Sequence, residues 1–300
     1  MPVVFFTASI MEKKLVKYYV VDAFTDEAYK GNPAAVCFLQ EDRSDKWLQS
    51  VAAEFNISIT CFLKRIASDS ASATPRFQLR WFSPIIEVKL CGHATMAASH
   101  ILFTQFVEAS VIEFVTLSGL LTVRKVPTIG ENGEVGESFY VELDFPAAST
   151  VEPNSTDLEA VKNVLGTLQI INIRRTTNFD DILVEVPSME DVLNLQPNFD
   201  ELMKCSGRGL IITSICAAKS GYDFCSRCFF PNYGVLEDPV CGTAHCSLAT
   251  YWSQKLGKTD LMAYAASART GTLSIHVGKL EQRVLIRGKA VTVMEGSLLM

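Results

Sequence analysis

No stretch of about 20 apolar residues occurs in the sequence, so no membrane-spanning helix is expected. Neither sign of charge dominates: 27 Lys and Arg stand against 33 Asp and Glu, for a net charge of −6. That excludes the basic field that nucleic-acid binding needs. The opening residues 1–6 have no positive region ahead of their short apolar stretch; Lys13 and Lys14 come after it, so no export signal is expected. No glycine-rich loop follows a predicted strand, which argues against dinucleotide and P-loop sites. Gly31-Asn32-Pro33 reads as a turn. Histidine is scarce, at four residues. No second ligand pair joins Cys225-x-x-Cys228 at zinc spacing, and that stretch alternates like a strand, so no metal is expected.

What is present is an ordinary globular balance, 48% hydrophobic and 20% charged over 300 residues. That length suits two domains. The nine cysteines, without an export signal, imply reduced thiols and a cytoplasmic location. Most should be small buried hydrophobes.

The chain contains an internal repeat. Arg80–Pro84 and Arg227–Pro231 share the pattern R-x-F-x-P. Eleven residues after Arg80 comes Cys91–Ala94, and fourteen after Arg227 comes Cys241–Ala244, both C-G-x-A. Each opens a helix-compatible stretch. Further on, Ser118–Val123 matches Thr270–Ile275. Three matched blocks in one order indicate a duplicated domain, 15–130 and 150–300. A return strand is expected at 138–146 near the join, between the polar stretches 130–137 and 147–155.

Strand signals dominate, at Leu15–Val21, Phe77–Phe82, Val111–Val115 and Val284–Arg287. Trp47, Leu48, Val51, Ala52 and Phe55 follow the helical period, predicting a helix over 46–55. Weaker helical signals cover 157–165 and 200–204. The fold class is therefore α+β, with two similar lobes and one central helix in each.

A thiol becomes a nucleophile or base only when ionised, and unpaired N–H groups at a helix start favour that. Cys91 and Cys241 both sit at predicted strand-to-helix turns, each followed by a glycine that lets a ligand approach closely. Two facing lobes would set one thiol on each side of a bound acid. Racemisation and epimerisation need this arrangement, an acid and a base on opposite faces of one carbon, and no cofactor. The N–H groups around Gly92-His93 and Gly242-Thr243 would hold the substrate carboxylate. His93 and His245 lie near the two turns, and His93 beside a thiolate is a proton carrier. His100 and His276 read as structural or surface residues. Glu237 and Asp238 read either as turn chemistry or as charge facing the cleft.

At these residues the chain resembles the PhzF-like family of the diaminopimelate epimerase superfamily. The likeness runs from Val21–Thr25 and Gly31–Val36, through Leu90–Thr95 and Phe230–His245, to Ala266–Gly271 and Gly288–Val293. It implies two pseudo-symmetric lobes, each a barrel-like mixed sheet around a central helix. It also implies cofactor-independent isomerisation and homodimers. PhzF-type isomerases carry an acid/base glutamate between the serine and threonine of Ser58-Ile59-Thr60, and here that position is Ile59. His93 and Asp238 match the family's other polar site residues, and Thr243 stands where serine is common. Cys91 and Cys241 match the catalytic thiols of the superfamily's two-cysteine racemases. These matches imply an amino-acid racemase or epimerase with Cys91 and Cys241 as its two bases. Asp238 would partner the substrate ammonium or His93. The alternatives are a hydrogen shift run by His93 and Asp238, and a catalytically silent binding relative. Phe55, Ile57, Ile59 and Phe62 would form an apolar wall, favouring a neutral apolar amino acid as substrate.

Overall fold

A computed structural model describes residues 15–67, 74–129, 132–278 and 282–299. The opening residues read for an export signal, and the first two residues of the polar stretch 130–137, lie outside them. The first half of the chain runs β1 (Leu15–Ala23), β2 (Asn32–Leu39), α1 (Asp45–Phe55), β3 (Ile59–Ile66), β4 (Arg76–Phe82), β5 (Glu87–Val88), α2 (Gly92–Ile101), β6 (Val111–Thr116), β7 (Gly119–Ile129) and β8 (Val135–Pro146). The second runs β9 (Thr150–Val151), α3 (Ser155–Leu165), β10 (Asn172–Thr176), β11 (Ile182–Glu185), α4 (Met189–Asn194), α5 (Phe199–Leu202), β12 (Leu210–Ile215), β13 (Phe224–Phe230), β14 (Val235–Asp238), α6 (His245–Leu256), β15 (Asp260–Ala265), β16 (Gly271–Gly278), β17 (Arg283–Gly288) and β18 (Ala290–Leu299). No described helix is long and apolar enough to cross a membrane.

The repeat is visible in the hydrogen bonding. β2 and β3 pair in parallel across α1, and β4 and β6 pair in parallel across α2. Likewise β11 and β12 pair in parallel across α4 and α5, and β13 and β15 across α6. Parallel neighbours require such crossovers. Each matched S/T-G block then turns back as an antiparallel neighbour, β6 to β7 and β15 to β16. β8 pairs with both β7 and β17, and so joins the two repeats into one sheet.

The last strand departs from the expected grouping of 150–300. β18 pairs antiparallel with β1, from Leu15↔Leu299 to Ala23↔Ala290. The equivalent neighbour of β10 is the short β9, which precedes it in the chain. The pattern is therefore circular: β18 followed by β1–β8 matches β9–β17.

The conserved arginine of each R-x-F-x-P block has the same job in both copies. Arg80 makes a two-pronged ion pair with Glu87 through Nε and Nη2, both at 2.7 Å. Arg227 grips Glu237 at 2.7 and 2.9 Å and also bonds the Leu195 carbonyl at 2.7 Å. Glu237 is thus a structural counter-ion.

Strand alternation sorts side chains between layers. From β3, Ile59, Cys61 and Leu63 enter the main core with α2 and α6, whereas Phe62 faces outward under α1. From β13, Cys228 joins the main core and Cys225 the cluster under α3. The C-x-x-C pair thus points to opposite faces of its strand. Helix ends follow local chemistry. Ser44 caps α1, accepting from the Trp47 N–H, and Asn56 closes it with φ 49°. Asn154 and Asp157 form a capping box on α3. The 200–204 helix is a single turn, Phe199–Leu202, and α4, capped by Ser188, has no counterpart among the sequence signals.

The starts of α2 and α6 abut. A Cβ on Gly92 would lie 3.1 Å from the Gly242 Cα, and one on Gly242 would lie 3.2 Å from the Gly92 Cα. Phe145 closes over the first glycine and Phe24 over the second. Here glycine serves close backbone approach. Gly92→Ala and Gly242→Ala should each destabilise the fold by about 1–3 kcal/mol through overpacking. The double variant should depart from additivity, because each methyl meets the same contact. Urea unfolding of the three variants measures both effects.

His245, at the start of α6, is fully buried, and its Nδ1 bonds the Cys241 carbonyl at 2.7 Å. Its Nε2 has no partner. Burial pushes its pKa down to about 4, so the fold holds the ring neutral. The unfolded chain takes up that proton near pH 6.5. The resulting stability is complete above about pH 6.5 and is lost as pH falls toward about 4. His245→Gln should therefore flatten the fall in stability across that window, measured as urea midpoints at stepped pH.

Candidate functional site

Cys91 is the N-cap of α2, with extended backbone at φ −142° and ψ 115°. Cys241 sits one turn ahead of α6. Between them, residues 242–244 form a tight turn whose i to i−3 bonds, such as His245 N–H to Gly242 O at 3.2 Å, lead into the helix. The expectation that both cysteines stand at helix starts is thus met directly by Cys91, and by Cys241 through this extra turn. Cys91 is 7% exposed and Cys241 5%. The Gly92–Gly242 contact brings their two turns together.

Each sulfur has one polar side chain two residues on. Cys91 Sγ lies 3.4 Å from His93 Nδ1. Cys241 Sγ lies 3.4 Å from Thr243 Oγ1. Burial pushes the Cys91 thiol well above the usual thiol range; the Ala94 N–H pulls the other way, and the Asp238 charge adds to the rise. Burial also lowers the pKa of His93, while Asp238 raises it.

Behind these pairs stand residues that sequence reasoning missed. His93 Nε2 meets Ser58 Oγ at 3.2 Å. The Ser58 hydroxyl donates to Asn32 Oδ1 at 3.0 Å and to the Pro33 carbonyl at 2.9 Å. Asn32 Nδ2 donates to Asp238 and, at 3.0 Å, to the Val240 carbonyl. Asp238 therefore reaches His93 through Asn32 and Ser58, not by direct contact. Asn32 is held in turn by its neighbour. Arg269 bonds the Gly31 carbonyl and Asp22, each at 2.8 Å, so the opening and closing blocks of the chain clasp one another here.

On the other side, Arg208 Nη1 donates to Thr243 Oγ1 at 3.0 Å. Its Nε and Nη2 hold the buried Asp181, the former at 2.7 Å. Its guanidinium stacks on Phe179 at 4.4 Å and on Phe230 at 4.5 Å. Cys228 lies in the same core and is the register partner of Asp238. In the sequence Ser58, Asn32 and Arg208 carry no signal beyond type, since their side-chain hydrogen-bond partners are 25 to 208 positions away.

Ile59 is buried in the main core, immediately after Ser58. The expected apolar wall is not one surface. Ile59 faces the main core, while Phe62 and Phe55 pack on the opposite side of the sheet under α1. Strand residues an odd number apart, like Ile59 and Phe62, cannot share a face, so the argument for a neutral apolar substrate loses its support. His100 stacks on Phe139 at 5.8 Å, and His276 pairs with Asp260 at 2.8 Å, as structural and surface residues. Among the described residues, no group of three or more His, Cys, Asp or Glu is placed to hold a metal.

A family model described as "Phenazine biosynthesis-like protein" matches residues 21–296. An uncharacterised isomerase of Halalkalibacterium halodurans is 44% identical over 285 residues, covering 94% of this chain and 98% of that protein. The crystal structure of a PhzF-family phenazine biosynthesis protein from Enterococcus faecalis superposes with a TM-score of 0.79 at 34% identity, covering 96% of this chain and all of the other. A probable proline racemase from Agrobacterium radiobacter shares the mixed α/β fold, with a TM-score of 0.56 at 12% identity over 95% of this chain and 93% of its own. With two C-G turns meeting inside that fold and the match spanning nearly the whole sequence, the chain belongs to the PhzC-PhzF family of phenazine biosynthesis-like proteins.

Proposed function

We propose that this protein is an isomerase, and specifically a cofactor-independent amino-acid racemase or epimerase whose two bases are Cys91 and Cys241. The observation that carries the proposal is the Gly92–Gly242 contact, which joins two thiol-bearing turns that lie 150 residues apart in sequence. The name of the H. halodurans relative supports the isomerase class. The isoleucine at position 59 supports thiol chemistry over the carboxylate chemistry implied by the family resemblance, since its sec-butyl group has no ionisable proton.

The site is read as the cleft between two lobes, one around α2 and one around α6. A substrate carboxylate would take the first-turn N–H groups at Gly92-His93 and Gly242-Thr243. Its α-carbon would lie between the sulfurs, with each reacting pair about 3–3.5 Å apart and the sulfurs roughly 6–8 Å from one another. One sulfur takes the α-proton while the other supplies a proton to the opposite face. With both thiols nearly shut off from water, charge on the intermediate is stabilised by fixed N–H dipoles. Asp238 would receive the substrate ammonium.

A second reading, a hydrogen shift run by His93, draws on the chain His93–Ser58–Asn32–Asp238, which ties an imidazole to a carboxylate. Incubation with L-amino acids in deuterated water separates the two. Racemisation gives α-deuterium with inversion; the hydrogen shift gives deuterium in a conjugated acid.

Cys91→Ser and Cys241→Ser should each abolish interconversion of enantiomers, because a hydroxyl ionises far less readily than a thiol. Each variant should still exchange the α-proton of one enantiomer, and the two variants should differ in which. An unpaired buried hydroxyl costs about 1–3 kcal/mol, so circular dichroism should be unchanged. If either single variant interconverts enantiomers at the wild-type rate, the two-thiol mechanism is wrong.

A further inference from the structure

The geometry points to an acidic amino acid as the substrate, with Arg208 as the residue that binds its side-chain carboxylate. This rests on the racemase reading above and names its substrate class. The observation behind it is a difference between the two copies of the repeat.

Asn32 opens β2, Ser58 stands just before β3, and His93 follows the glycine of its C-G-x-A block. In the second copy Asp181 stands just before β11, Arg208 just before β12, and Thr243 follows the other glycine. The strands correspond, since β2 pairs in parallel with β3 as β11 does with β12. The bonds run in the same order. Asn32 meets Ser58, which meets His93; Asp181 meets Arg208, which meets Thr243.

Each triad ends beside a sulfur, His93 at 3.4 Å from Cys91 and Thr243 at 3.4 Å from Cys241. The first triad is anchored by an amide and a hydroxyl. The second puts a guanidinium and a carboxylate at the equivalent places. Burying two charges is costly, and uncharged groups of similar shape often hold a fold as well or better. Placing Thr243 does not account for the charge, because the first copy places His93 without one. A negatively charged ligand does account for it.

The guanidinium is built to receive one. Arg208 has five N–H donors. Nε and Nη2 each give one to Asp181, and Nη1 gives one to Thr243. One N–H on each terminal nitrogen is left without a partner among the described residues. These two lie at the forked end, which matches the spacing of carboxylate oxygens. Phe179 and Phe230 stack on the guanidinium at 4.4 and 4.5 Å, so a ligand meets the N–H edge. The Arg208 side chain keeps 16% of its surface exposed, while Asp181 keeps none, so the ion pair opens to solvent only at its cation. The backbone is fixed as well. The Arg208 N–H bonds the Asp180 carbonyl at 3.0 Å. A side chain at Gly207, whose φ is 85°, would run into that same carbonyl.

Reach decides the size of the acid. Contacts of 3.0 and 3.4 Å, through Thr243 Oγ1, separate the guanidinium from the Cys241 sulfur. An α-carbon about 3–3.5 Å from that sulfur leaves a gap that a short side chain, such as that of aspartate or glutamate, spans. The α-carboxylate stays with the N–H groups of the two C-G turns, and the ammonium with Asp238.

The test compares acids with their uncharged amides on the whole protein. α-Deuterium exchange in deuterated water is measured for L-aspartate and L-glutamate against L-asparagine and L-glutamine. kcat/KM should be roughly 10–100-fold higher for the acids. Arg208→Gln combined with Asp181→Asn leaves no charge of that pair unpartnered and keeps a donor for Thr243. It should bring the ratio to about 1, chiefly through a higher KM for the acids. Arg208→Lys keeps the charge but loses the fork, so it should keep part of the preference. A purely structural Arg208 would slow acids and amides alike. That result, or a wild type without preference for the acids, overturns the inference. Calorimetric titration with succinate and with its monoamide, succinamate, needs no turnover. Succinate should bind roughly 10-fold more tightly, and the double variant should lose the difference. Succinate binding that depends on Arg208, with no exchange of any amino acid, overturns the racemase reading and leaves the anion site standing. Exchange of acids and amides at rates that do not depend on Arg208 does the reverse.

Discussion

The start of α2 meeting, backbone to backbone, the turn that leads into α6 is the constraint on which the rest of the structure depends. Gly92 and Gly242 leave no room for a side chain between them. Helix starts carry unpaired N–H groups and partial positive charge. Bringing two together is unfavourable unless the surrounding fold holds them. The one sheet, continuous through β8 and extended by the β1–β18 pair, supplies that hold. Phe24, after β1, and Phe145, in β8, both pack against the contact. Every polar residue at the site takes its place from this junction: the cysteines precede the glycines, and His93 and Thr243 follow them.

The pseudo-symmetry is close in backbone and broken in chemistry. C-G-H-A faces C-G-T-A. The histidine side is anchored by an uncharged pair, Ser58 and Asn32, with Asp238 at its far end. The threonine side is anchored by a buried ion pair, Arg208 with Asp181. A buried charge without its partner is expensive, so Arg208 and Asp181 depend on one another for their place. A repeated fold thus brings two unlike sets of side chains to its central junction.

Much of this was legible in the sequence, because the duplication exposed it. The C-G pair, the R-x-F-x-P blocks and the S/T-G turns all appear at equivalent places in the hydrogen-bond pattern. The helix over 46–55 could be read because its apolar spacing and the Ser44 cap are local. Ser58, Asn32, Arg208 and Asp181 could not be read. Their roles arise from partners far along the chain, and each alone is an ordinary polar residue near a turn. Gly31-Asn32-Pro33 reads as a turn, which holds for Gly31 at φ 61°, whereas Asn32 and Pro33 open β2 and the amide of Asn32 serves the site. The apolar wall fails for a different reason: closeness in sequence is not a shared surface, because strand residues an odd number apart point to opposite faces. The placement of β18 was illegible because nothing local distinguishes a strand that stays in its own repeat from one that returns to the first.

That placement has a consequence for how the molecule is made. A ribosome delivers β1 first and β18 last, at roughly 5–20 residues per second. Through most of synthesis, β1 has β2 on one side and nothing on the other. An open strand edge is a template for wrong pairings. The half of the protein that emerges first is therefore the half that must wait, its sheet unfinished until the end of the chain arrives. The second repeat, whose outer neighbour β9 emerges ahead of β10, has its strands in order as they appear. The two units are similar in strand order, but the circular arrangement sets a different order of assembly for each.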